Sequence, residues 1–342
     1  MSGGIAQLVA IGAQDAHLVG QPEVSFFRSN YKRHTNFAQT VERQTIQGNP
    51  ASEGMSTIRF ERKGDMLGYV YLANRSGDIT NWTDDVSKVE LLIGGQVIDT
   101  QDGAFINTLA PVAMNQSYSK STWALAADKF YPLRFSFCEN AQSALPLVAL
   151  QYHDVELRIT WGTLASGKED LEVYAQFIHL DTDERTALSS TPQNMIVTQT
   201  QKAIASNGKI QELNFNHPMK YLIATKSTNF DGINVSGGDQ NLTKLKLQIN
   251  GTDVTDSQNY EPHFSTAPIY YHTQSSTVDA GTLLVPFCLD TTKIQPTGSL
   301  NFSRLDSARL VSDNLPFTTD LYGVNYNILR IENGMGGLMY SN

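Results

Sequence analysis

Residues Pro286–Asp306 read PFCLDTTKIQPTGSLNFSRLD, and the fold prediction rests on this segment. A second version of this stretch appears earlier in the chain when the sequence is shifted by 150 positions without a gap. The matched pairs are Leu133 with Leu283, Phe137 with Phe287, Cys138 with Cys288, Pro146 with Pro296, Leu150 with Leu300, and Tyr152 with Phe302. Both copies are predicted to form a strand, a short polar loop with a proline, and a second strand. Self-similarity over this distance predicts a duplicated fold.

Other features of the chain recur in the same order, at spacings of 150 to 156 residues. The pairs are Ile58 and Ile210, Tyr69 and Tyr221, the run with its turn at 91–95 and that at 245–251, and Asp170-Leu171 and Asp320-Leu321. Each half contains about eight strand-like runs, which suits a jelly roll with two sheets folded over one core. We predict an all-β chain of two tandem eight-stranded jelly-roll barrels, a double jelly roll, with short helical turns in loops.

The predicted domain boundaries follow from this repeat. An N-terminal arm is expected at 1–22, a first jelly roll at 23–188 and a second jelly roll at 189–342. The runs 133–137 and 155–161 place apolar side chains at every second position, as half-buried strands do. Residues 103–129 are predicted to form a long connection with short helical turns.

Two residues test the repeat directly. Phe137 and Phe287 are matched by the shift of 150 positions. Both are therefore expected to be core residues at the same place in their barrels.

The composition argues against two classes of protein. The chain of 342 residues has a net charge of −9 at pH 7 and a sequence pI of about 5.2. A protein that binds nucleic acid over a broad surface needs the opposite sign of charge, so we predict no direct contact with nucleic acid. No run approaches the ~20 consecutive apolar residues that span a bilayer. The chain is therefore expected to be soluble.

The chain has two cysteines, Cys138 and Cys288, which occupy equivalent positions in the two copies. Equivalent positions lie in separate barrels, so we predict that the two thiols do not form a disulfide. The N-terminus shows no signal peptide, and reduced, buried thiols in a cytosolic compartment are expected.

A small basic patch is a candidate binding site for a phosphate or an acidic partner. Its members are Arg28, Lys32, Arg33 and His34. Four positive groups make a weak footprint, which favours a solvated turn or a subunit contact.

A cluster of carboxylates could hold a divalent cation. Asp181, Asp183 and Glu184 follow a predicted strand and offer oxygen ligands. An acidic surface turn is the favoured interpretation.

No pattern in the sequence supports enzymatic chemistry. None of the seven histidines has the H-x-H or H-E-x-x-H spacing that holds a metal. His153 and Asp154 are neighbours on a strand, so their side chains point to opposite faces and cannot serve one pocket. There is no G-x-S-x-G elbow or phosphate loop, and Gly334–Gly337 lacks a following helix. We predict that the protein is not an enzyme, with no cofactor and no catalytic, cofactor-binding or metal residues.

Several blocks of the chain resemble the major capsid proteins of nucleocytoplasmic large DNA viruses. They span Ser2 to Asn342 and read MSGGIAQLVAIGAQD, SFFRSNYKRHTNFA, FSFCENAQSALPLVALQYHDVELRI, FIHLDTDER, QPTGSLNFSRLDSARL and YGVNYNILRIENGMGGLMYSN. Collinear blocks over the whole chain are far more specific than one short motif. The fold of the resembled family is a double jelly roll, in agreement with the duplication.

The resemblance implies a structural shell protein of a large icosahedral double-stranded DNA virus. Members of the resembled family form homotrimers whose six barrels give a pseudo-hexagonal capsomer, and these capsomers tile a lattice above an internal membrane. The expected partners are neighbouring capsomers, minor capsid and penton proteins and, indirectly, the inner membrane. The arm Ser2–Gln21 is expected at the capsomer base, in contact with minor capsid proteins or neighbouring capsomers. The expected location is the virion capsid, assembled in the host cytoplasm. Loops shorter than is usual in the family predict no elaborate tower on the outer surface.

Glycan decoration of some relatives draws attention to the N-x-[ST] sequons. The sequons are Asn74, Asn81, Asn115, Asn234, Asn241, Asn250 and Asn301. Without a secretory signal they need not be used, and incidental occurrence in a chain rich in Asn, Ser and Thr is favoured. Asn301, inside a predicted strand motif, is the poorest candidate.

Two alternative functions keep the same fold. A transient scaffold that shapes membranes and is later discarded has almost the same sequence requirements as a permanent capsid subunit. A lectin-like carbohydrate-binding module requires clustered exposed aromatics, for which Tyr260, Tyr270 and Tyr271 are the only hint.

Overall fold

The computed structural model describes residues 3–48, 50–74, 82–114, 130–163, 171–225, 243–274 and 282–340. The chain divides into two compact units, residues 1–36 and 37–342. The first unit contains helices α1 (Gly3–Val9) and α2 (Ala16–Val19), and neither has a buried residue. Its apolar side chains are open to solvent, among them Leu8 at 75% exposure and Phe27 at 100%.

The first part of the second unit folds into two antiparallel sheets of five strands each. The strands are β1 (Phe37–Gln44), β2 (Ile46–Gln47), β3 (Met55–Arg59), β4 (Met66–Asn74), β5 (Val86–Ile93), β6 (Gln96–Asp102), β7 (Phe130–Pro132), β8 (Leu145–Pro146), β9 (Val155–Trp161) and β10 (Leu171–Leu180). One sheet has the order β1-β10-β4-β7, with β8 also beside β4, and the other has the order β2-β3-β9-β5-β6. We call this part the first barrel.

The second part repeats the arrangement with sheets of six and five strands. The strands are β11 (Gln193–Ala203), β12 (Ile210–Glu212), β13 (Pro218–Thr225), β14 (Lys244–Ile249), β15 (Thr252–Asp253), β16 (Gln258–Asn259), β17 (Thr282–Pro286), β18 (Leu300–Asn301), β19 (Ala308–Ser312), β20 (Leu321–Glu332) and β21 (Met335–Leu338). The six-stranded sheet has the order β11-β20-β13-β17, with β18 beside β13 and β21 beside β20. The other sheet has the order β12-β19-β14-β15, with β16 beside β14. We call this part the second barrel.

The two barrels share one strand topology. Without the short strands β2, β8, β16, β18 and β21, the described part of each barrel has eight main strands. Numbered in chain order, these pair as first-eighth-third-sixth in one sheet and second-seventh-fourth-fifth in the other, in both barrels. Two such sheets packed over one core form a jelly roll. The fold is therefore a double jelly roll, as the sequence predicts.

The helices of the described chain lie in the arm and in connections between strands. The remaining α-helices are α3 (Trp82–Asp85), α4 (Ala110–Ala113), α5 (Thr182–Ser190), α6 (Tyr260–His263) and α7 (Thr266–His272). A π-helical turn covers Phe105–Leu109, and 3-10 turns cover Ser136–Cys138, Ala141–Ser143 and Phe302–Arg304. Helix α5 joins the last strand of the first barrel to the first strand of the second. Within the described ranges, no helix combines the length and the apolar character needed to cross a membrane.

Alternating side chains explain why the predicted strands form. Strand β9 buries Val155, Leu157, Ile159 and Trp161 and leaves the residues between them half-buried. This pattern places every second side chain in the core of the first barrel. The alternation predicted for residues 155–161 is confirmed.

Two tight hairpins occupy equivalent places in the barrels. The Gly94-Gly95 turn joins β5 to β6, and the Asn250-Gly251 turn joins β14 to β15; all four turn residues have positive φ values between 50° and 82°. Two-residue turns with positive φ match the twist of the adjoining strands, and glycine and asparagine tolerate this conformation best. Turn chemistry thus fixes the same register in both barrels.

The strand predicted at residues 133–137 is wrong. Strand β7 ends at Pro132, and a 3-10 turn at Ser136–Cys138 follows. Residues at both odd and even positions are buried, including Leu133 and the charged Arg134, which is 7% exposed. The apolar spacing of a strand was present, but the segment leaves the sheet and is enclosed on all sides.

The ungapped shift of 150 positions also proves inaccurate in its register. Pro146 pairs with Met66 on β4, and the equivalent partner of Pro218 on β13 is Asn301, five residues beyond the matched Pro296. The loops around the short strands β8 and β18 differ in length, so no single offset aligns all strands. Phe287 is only half-buried, whereas Phe137 is buried, which contradicts the expectation of two equivalent core residues.

Candidate functional site: the interface between the two barrels

A buried carboxylate joins β6 of the first barrel to β11 of the second. The Oδ1 atom of Asp99 accepts hydrogen bonds from the backbone N–H of Thr200, at 2.8 Å, and of Thr100, at 2.9 Å. Its Oδ2 atom accepts from Nε2 of Gln101 at 2.8 Å. Burial raises the pKa of Asp99 to about 6, although all three hydrogen bonds act in the opposite direction. The side chain thus connects two strands of different barrels.

A group of amides continues this contact. The Nε2 atom of Gln199 donates to the carbonyl oxygen of Ile98 in the first barrel. Its Oε1 atom accepts from Nδ2 of Asn327 at 2.8 Å and from Nδ2 of Asn325 at 3.4 Å. The three amide side chains are at most 3% exposed. Buried amides require such partners because an unsatisfied polar atom costs about 1–3 kcal/mol.

An ion pair borders the interface where it meets solvent. The Nζ atom of Lys202 lies 2.8 Å from Oδ2 of Asp102 in the first barrel and 2.9 Å from Oδ2 of Asp320 in the second. The hydroxyl of Tyr322 donates to Oδ2 of Asp102 at 3.3 Å. Burial lowers the pKa of Lys202, but its bonds to the two carboxylates outweigh this effect and raise the pKa above the ordinary value.

The apolar part of the interface is one face of a second-barrel sheet. Along β13, Leu222 and Ala224 face the core of the second barrel, whereas Tyr221 and Ile223 join the apolar cluster of the first barrel. The ring of Tyr322 lies 5.5 Å from that of Phe105, centroid to centroid. We define the covered face as five of the residues of β13, β17 and β20 that belong to this cluster, namely Tyr221, Ile223, Leu284, Tyr322 and Val324.

Three charged side chains are buried next to this face. Arg134 and Glu139 come from the first barrel and Lys220 from the second, and none is more than 7% exposed. The Nζ atom of Lys220 donates to the carbonyl oxygen of Lys293 at 2.9 Å. Burial lowers the pKa values of Lys220 and Arg134, and burial raises the pKa of Glu139 to about 7. Opposite charges from the two barrels compensate each other inside the interface.

The C-terminal hairpin β20–β21 forms a second connection to the first barrel. The backbone N–H of Tyr152 donates to the carbonyl oxygen of Gly334 at 2.8 Å. His153 Nδ1 lies 2.9 Å from the carbonyl oxygen of Gly336, and Leu338 N–H donates to a first-barrel side chain. A side chain at Gly336 would lie 2.6 Å from Cδ2 of the buried Leu150. The hairpin therefore packs so closely that any residue larger than glycine requires the hairpin or Leu150 to shift.

His153 and Asp154 do not form one site. His153 contacts the C-terminal hairpin, whereas Asp154 forms ion pairs with Arg59 and Arg62. The predicted strand begins only after this pair, at Val155. The two side chains serve different contacts.

The acidic cluster lies at the start of α5. The side chain of Asp181 accepts a hydrogen bond from the backbone N–H of Thr182 at 2.8 Å, and Asp183 and Glu184 occupy the first helical turn. Carboxylates at this end of a helix are stabilised by its N–H groups. Over the described ranges, no three His, Cys, Asp or Glu residues are grouped to hold a metal ion.

The basic patch lies in the first unit, and its four side chains are exposed. Its members are Arg28, Lys32, Arg33 and His34. His34 Nδ1 contacts the carbonyl oxygen of Thr35 at 2.7 Å.

The remaining candidates from the sequence are three tyrosines and two cysteines, and the three tyrosines differ in their exposure. Tyr260 is buried, but Tyr270 and Tyr271 are 69% and 76% exposed, with ring centroids 5.0 Å apart. Cys138 and Cys288 are buried and free, so the prediction of no disulfide is confirmed.

The sequons are only partly within the described chain. Asn250 and Asn301 are exposed, and their side chains accept hydrogen bonds from the backbone N–H groups of Asp306 and Ser303. Asn81, Asn115, Asn234 and Asn241, and the side chain of Asn74, lie outside the described residues.

The sequence did not predict the interface. Its strand positions look like solvent-facing polar residues, because alternation cannot distinguish water from the polar surface of another barrel. In the structure, β20 is buried at seven consecutive positions from Leu321 to Asn327. The sequence signal for this burial is that the run, LYGVNYN, contains no charged residue. A strand buried on both faces must be covered twice.

Two family profiles match this chain. The profile described as large eukaryotic DNA virus major capsid protein matches residues 184–337, and that described as major capsid protein N-terminus matches residues 25–210. The major capsid protein of Pyramimonas orientalis virus is 33% identical, and that of Paramecium bursaria Chlorella virus 1 is 30% identical, with all of both chains covered in each case.

Solved structures of similar shape agree with these matches. The crystal structure of PBCV-1 VP54 has a TM-score of 0.78 at 25% identity, covering 93% of this chain and 100% of that one. The Faustovirus major capsid protein has a TM-score of 0.63 at 10% identity, covering 94% of each chain, and supports the fold alone. A double jelly roll with a buried contact between its barrels defines a class of structural capsid proteins. The chain belongs to the family of major capsid proteins of large eukaryotic DNA viruses.

Proposed function

We propose that the chain forms homotrimers whose six barrels make a pseudo-hexagonal capsomer of an icosahedral virus shell. One observation carries this proposal: the two barrels have the same strand order and are held together by a buried contact. A triangle of such molecules presents six similar barrels, so threefold symmetry approximates sixfold packing. A ring of this kind needs a head-to-tail interface that closes after three copies.

The proposed role is assembly, without a catalytic step, cofactor or metal. Relatives that are major capsid proteins favour a permanent shell subunit over a transient scaffold or a lectin-like module. The proposed location is the virion capsid, with assembly in the host cytoplasm.

The proposed partners are neighbouring capsomers, minor capsid and penton proteins and, indirectly, an inner membrane. The arm Ser2–Gln21 is the proposed contact for minor capsid proteins, and the exposure of its described apolar side chains supports this role. A net charge of −9 supports the absence of direct nucleic-acid contact.

The proposed domains are the arm at 1–22, the first jelly roll at 23–188 and the second at 189–342. All strand pairing in the described chain stays within β1–β10 or within β11–β21, and α5 lies between the two sets, which supports the division near residue 188.

The test is the mass of the purified chain in solution. Light scattering coupled to size exclusion is expected to give about 113 kDa, three chains of 37.8 kDa each. Electron micrographs of the same sample are expected to show hexagonal outlines with threefold features. A chain that remains monomeric at all concentrations overturns the proposal.

A further inference from the structure

An aromatic surface covers the outer side of the first-barrel sheet β1-β10-β4-β7. We define the aromatic face as Tyr69, Tyr71, Phe130 and Tyr174. The ring of Tyr71 lies 5.4 Å from that of Tyr174 and 5.1 Å from that of Phe130. Tyr69 and Phe130 remain 42% and 37% exposed. Exposed aromatic patches of this kind mark interaction surfaces.

The aromatic face and the covered face of the second barrel are equivalent in strand register. Tyr71 pairs with Tyr174 between the third and eighth main strands of the first barrel. Ile223 pairs with Tyr322 between the same strands of the second. One face is buried within the chain by the other barrel, and its counterpart is not.

The charged residues beside the two faces are also equivalent. Lys202 pairs in register with Tyr322 on β20 and binds Asp320, as described above. In the first barrel, Arg43 pairs with Tyr174 and binds Glu172 at 3.1 Å. Lys202 has one additional partner, the carboxylate of Asp102 in the first barrel. Among the described residues, Arg43 has no ion-pair partner from the second barrel.

The segment that covers the second barrel has a counterpart too. In the first barrel, residues 109–114 read LAPVAM; they follow Phe105, which contacts Tyr322, and are buried in the apolar cluster that includes the covered face. In the second barrel, residues 266–271 read TAPIYY, with the same Ala-Pro step at the start of a helix. This copy ends in Tyr270 and Tyr271, the tyrosine pair, which are exposed.

A polar residue on a strand precedes each of the two Ala-Pro segments in the chain. Asp102, the residue that bridges to Lys202, pairs with Lys88 on β5. Asn259 pairs with Lys244 on β14 in the equivalent register of the second barrel. Its amide oxygen can accept a hydrogen bond from an arginine, as the carboxylate of Asp102 does from lysine.

We infer that the aromatic face of one copy of this chain binds the tyrosine pair of a second copy, repeating between molecules the contact that each chain makes between its barrels. The inference rests on the proposed homotrimer and names its contact surfaces. Each chain supplies one open aromatic face and one open tyrosine pair, so the contact is head-to-tail, and the proposed homotrimer requires that the rotation between copies closes after three. Tyrosine is favoured in such contacts because its ring buries apolar area and its hydroxyl stays hydrogen-bonded.

The first test places negative charge on the tyrosine pair of the full chain. The double variant Tyr270→Asp/Tyr271→Asp is expected to shift from about 113 kDa to the 37.8 kDa monomer in light scattering, while its far-UV circular dichroism remains that of the folded wild-type chain. The matched control is Ile210→Asp, at a 46% exposed position on β12, in the sheet that includes neither surface. The control is expected to remain a trimer.

The second test locates the contact directly. Tyr71→Cys and Tyr270→Cys single variants are mixed, dissociated, reassembled and treated with a short bismaleimide crosslinker. Covalent dimers are expected only in the mixture, because a head-to-tail contact brings the two positions together in different copies. Burial raises the pKa of Cys138 to about 12 and also raises that of Cys288, so the native thiols stay unreactive.

The outcomes separate the inference from the proposed function. A wild-type chain that is monomeric overturns the proposed homotrimer and this contact with it. A wild-type trimer that survives both aspartates, or that gives no mixed crosslink, leaves the homotrimer standing and overturns this contact alone. Binding of another protein or of a glycan by the tyrosine pair, with the trimer intact, overturns it in the same way.

Discussion

Asp99 ties the stability of the protein to pH through its place between the barrels. Burial raises its pKa to about 6 from an ordinary value of 3.8. Between these two values the folded chain keeps a proton that the unfolded chain has released. The stabilisation is therefore complete below about pH 4 and is lost as the pH rises through 6. This loss lowers the free energy of unfolding by on the order of 3 kcal/mol.

We expect Asp99→Asn to remove this part of the pH dependence. Urea unfolding at pH 4.5, 5.5 and 6.5 measures it, because asparagine has no proton to lose and still accepts the two backbone N–H bonds at one oxygen. Asp253→Asn is the control: Asp253 is exposed and its pKa is lowered by hydrogen bonds from Lys246 and Gln248. That control should keep the full decline above pH 4. Burial also raises the pKa of Glu139, which contributes a decline in every variant, so an Asp99→Asn variant whose decline is as large as that of the control contradicts the assignment.

Phe137 and Phe287 should differ in their contribution to stability. Phe137 is 4% exposed in the first-barrel core, so Phe137→Ala is expected to cost about 3–5 kcal/mol. Phe287 is half-buried and packs edge-on against Phe302 at 5.7 Å, so Phe287→Ala is expected to cost roughly half as much. Denaturant unfolding of the two variants at one pH compares them. Equal costs would show that the two positions are equivalent after all.

At the scale of single elements, the sequence predicts what alternation and turn chemistry encode. The strand at residues 155–161 and the Gly94-Gly95 turn are where the sequence places them. The strand prediction for residues 133–137 fails because apolar residues at every second position do not reveal that residues between them are buried as well. The buried amides around Gln199 are missed for the opposite reason, since polar residues on a strand indicate solvent until another barrel covers them.

The C-terminal hairpin depends on a glycine that permits close packing. A Cβ atom at Gly336 would lie 2.6 Å from Cδ2 of Leu150 and 3.3 Å from Cγ2 of Ile93, both in the first-barrel core. We expect Gly336→Ala to cost about 1–3 kcal/mol in unfolding free energy, because the hairpin must move away or the core must shift.

Gly208→Ala is the matched control for this substitution. A Cβ atom at Gly208 would have its nearest neighbours at 3.8 and 3.9 Å, which is ordinary contact. Its effect is expected to stay within about 0.5 kcal/mol. Thermal melts of both variants decide the matter, and equal melting temperatures would show that the hairpin does not rest against the first barrel.

At the scale of the whole molecule, the two barrels are unequal in their need for each other. The covered face of the second barrel consists of large apolar side chains that belong to the apolar cluster of the first barrel. Removing the first barrel would expose this face together with the buried amides of β11 and β20. The aromatic face of the first barrel is already open in the single chain.

We therefore expect a fragment of residues 189–342 to fail to fold alone. It should bind a hydrophobic dye and melt without cooperativity, because exposing each large side chain of the covered face costs about 1.5–3 kcal/mol, against a domain stability of only about 5–15 kcal/mol. Co-expression with residues 1–188 is the control, and it should restore a cooperative melt by covering the face again. A fragment that melts cooperatively by itself and binds no dye would show that the contact between the barrels adds little to the stability of the second.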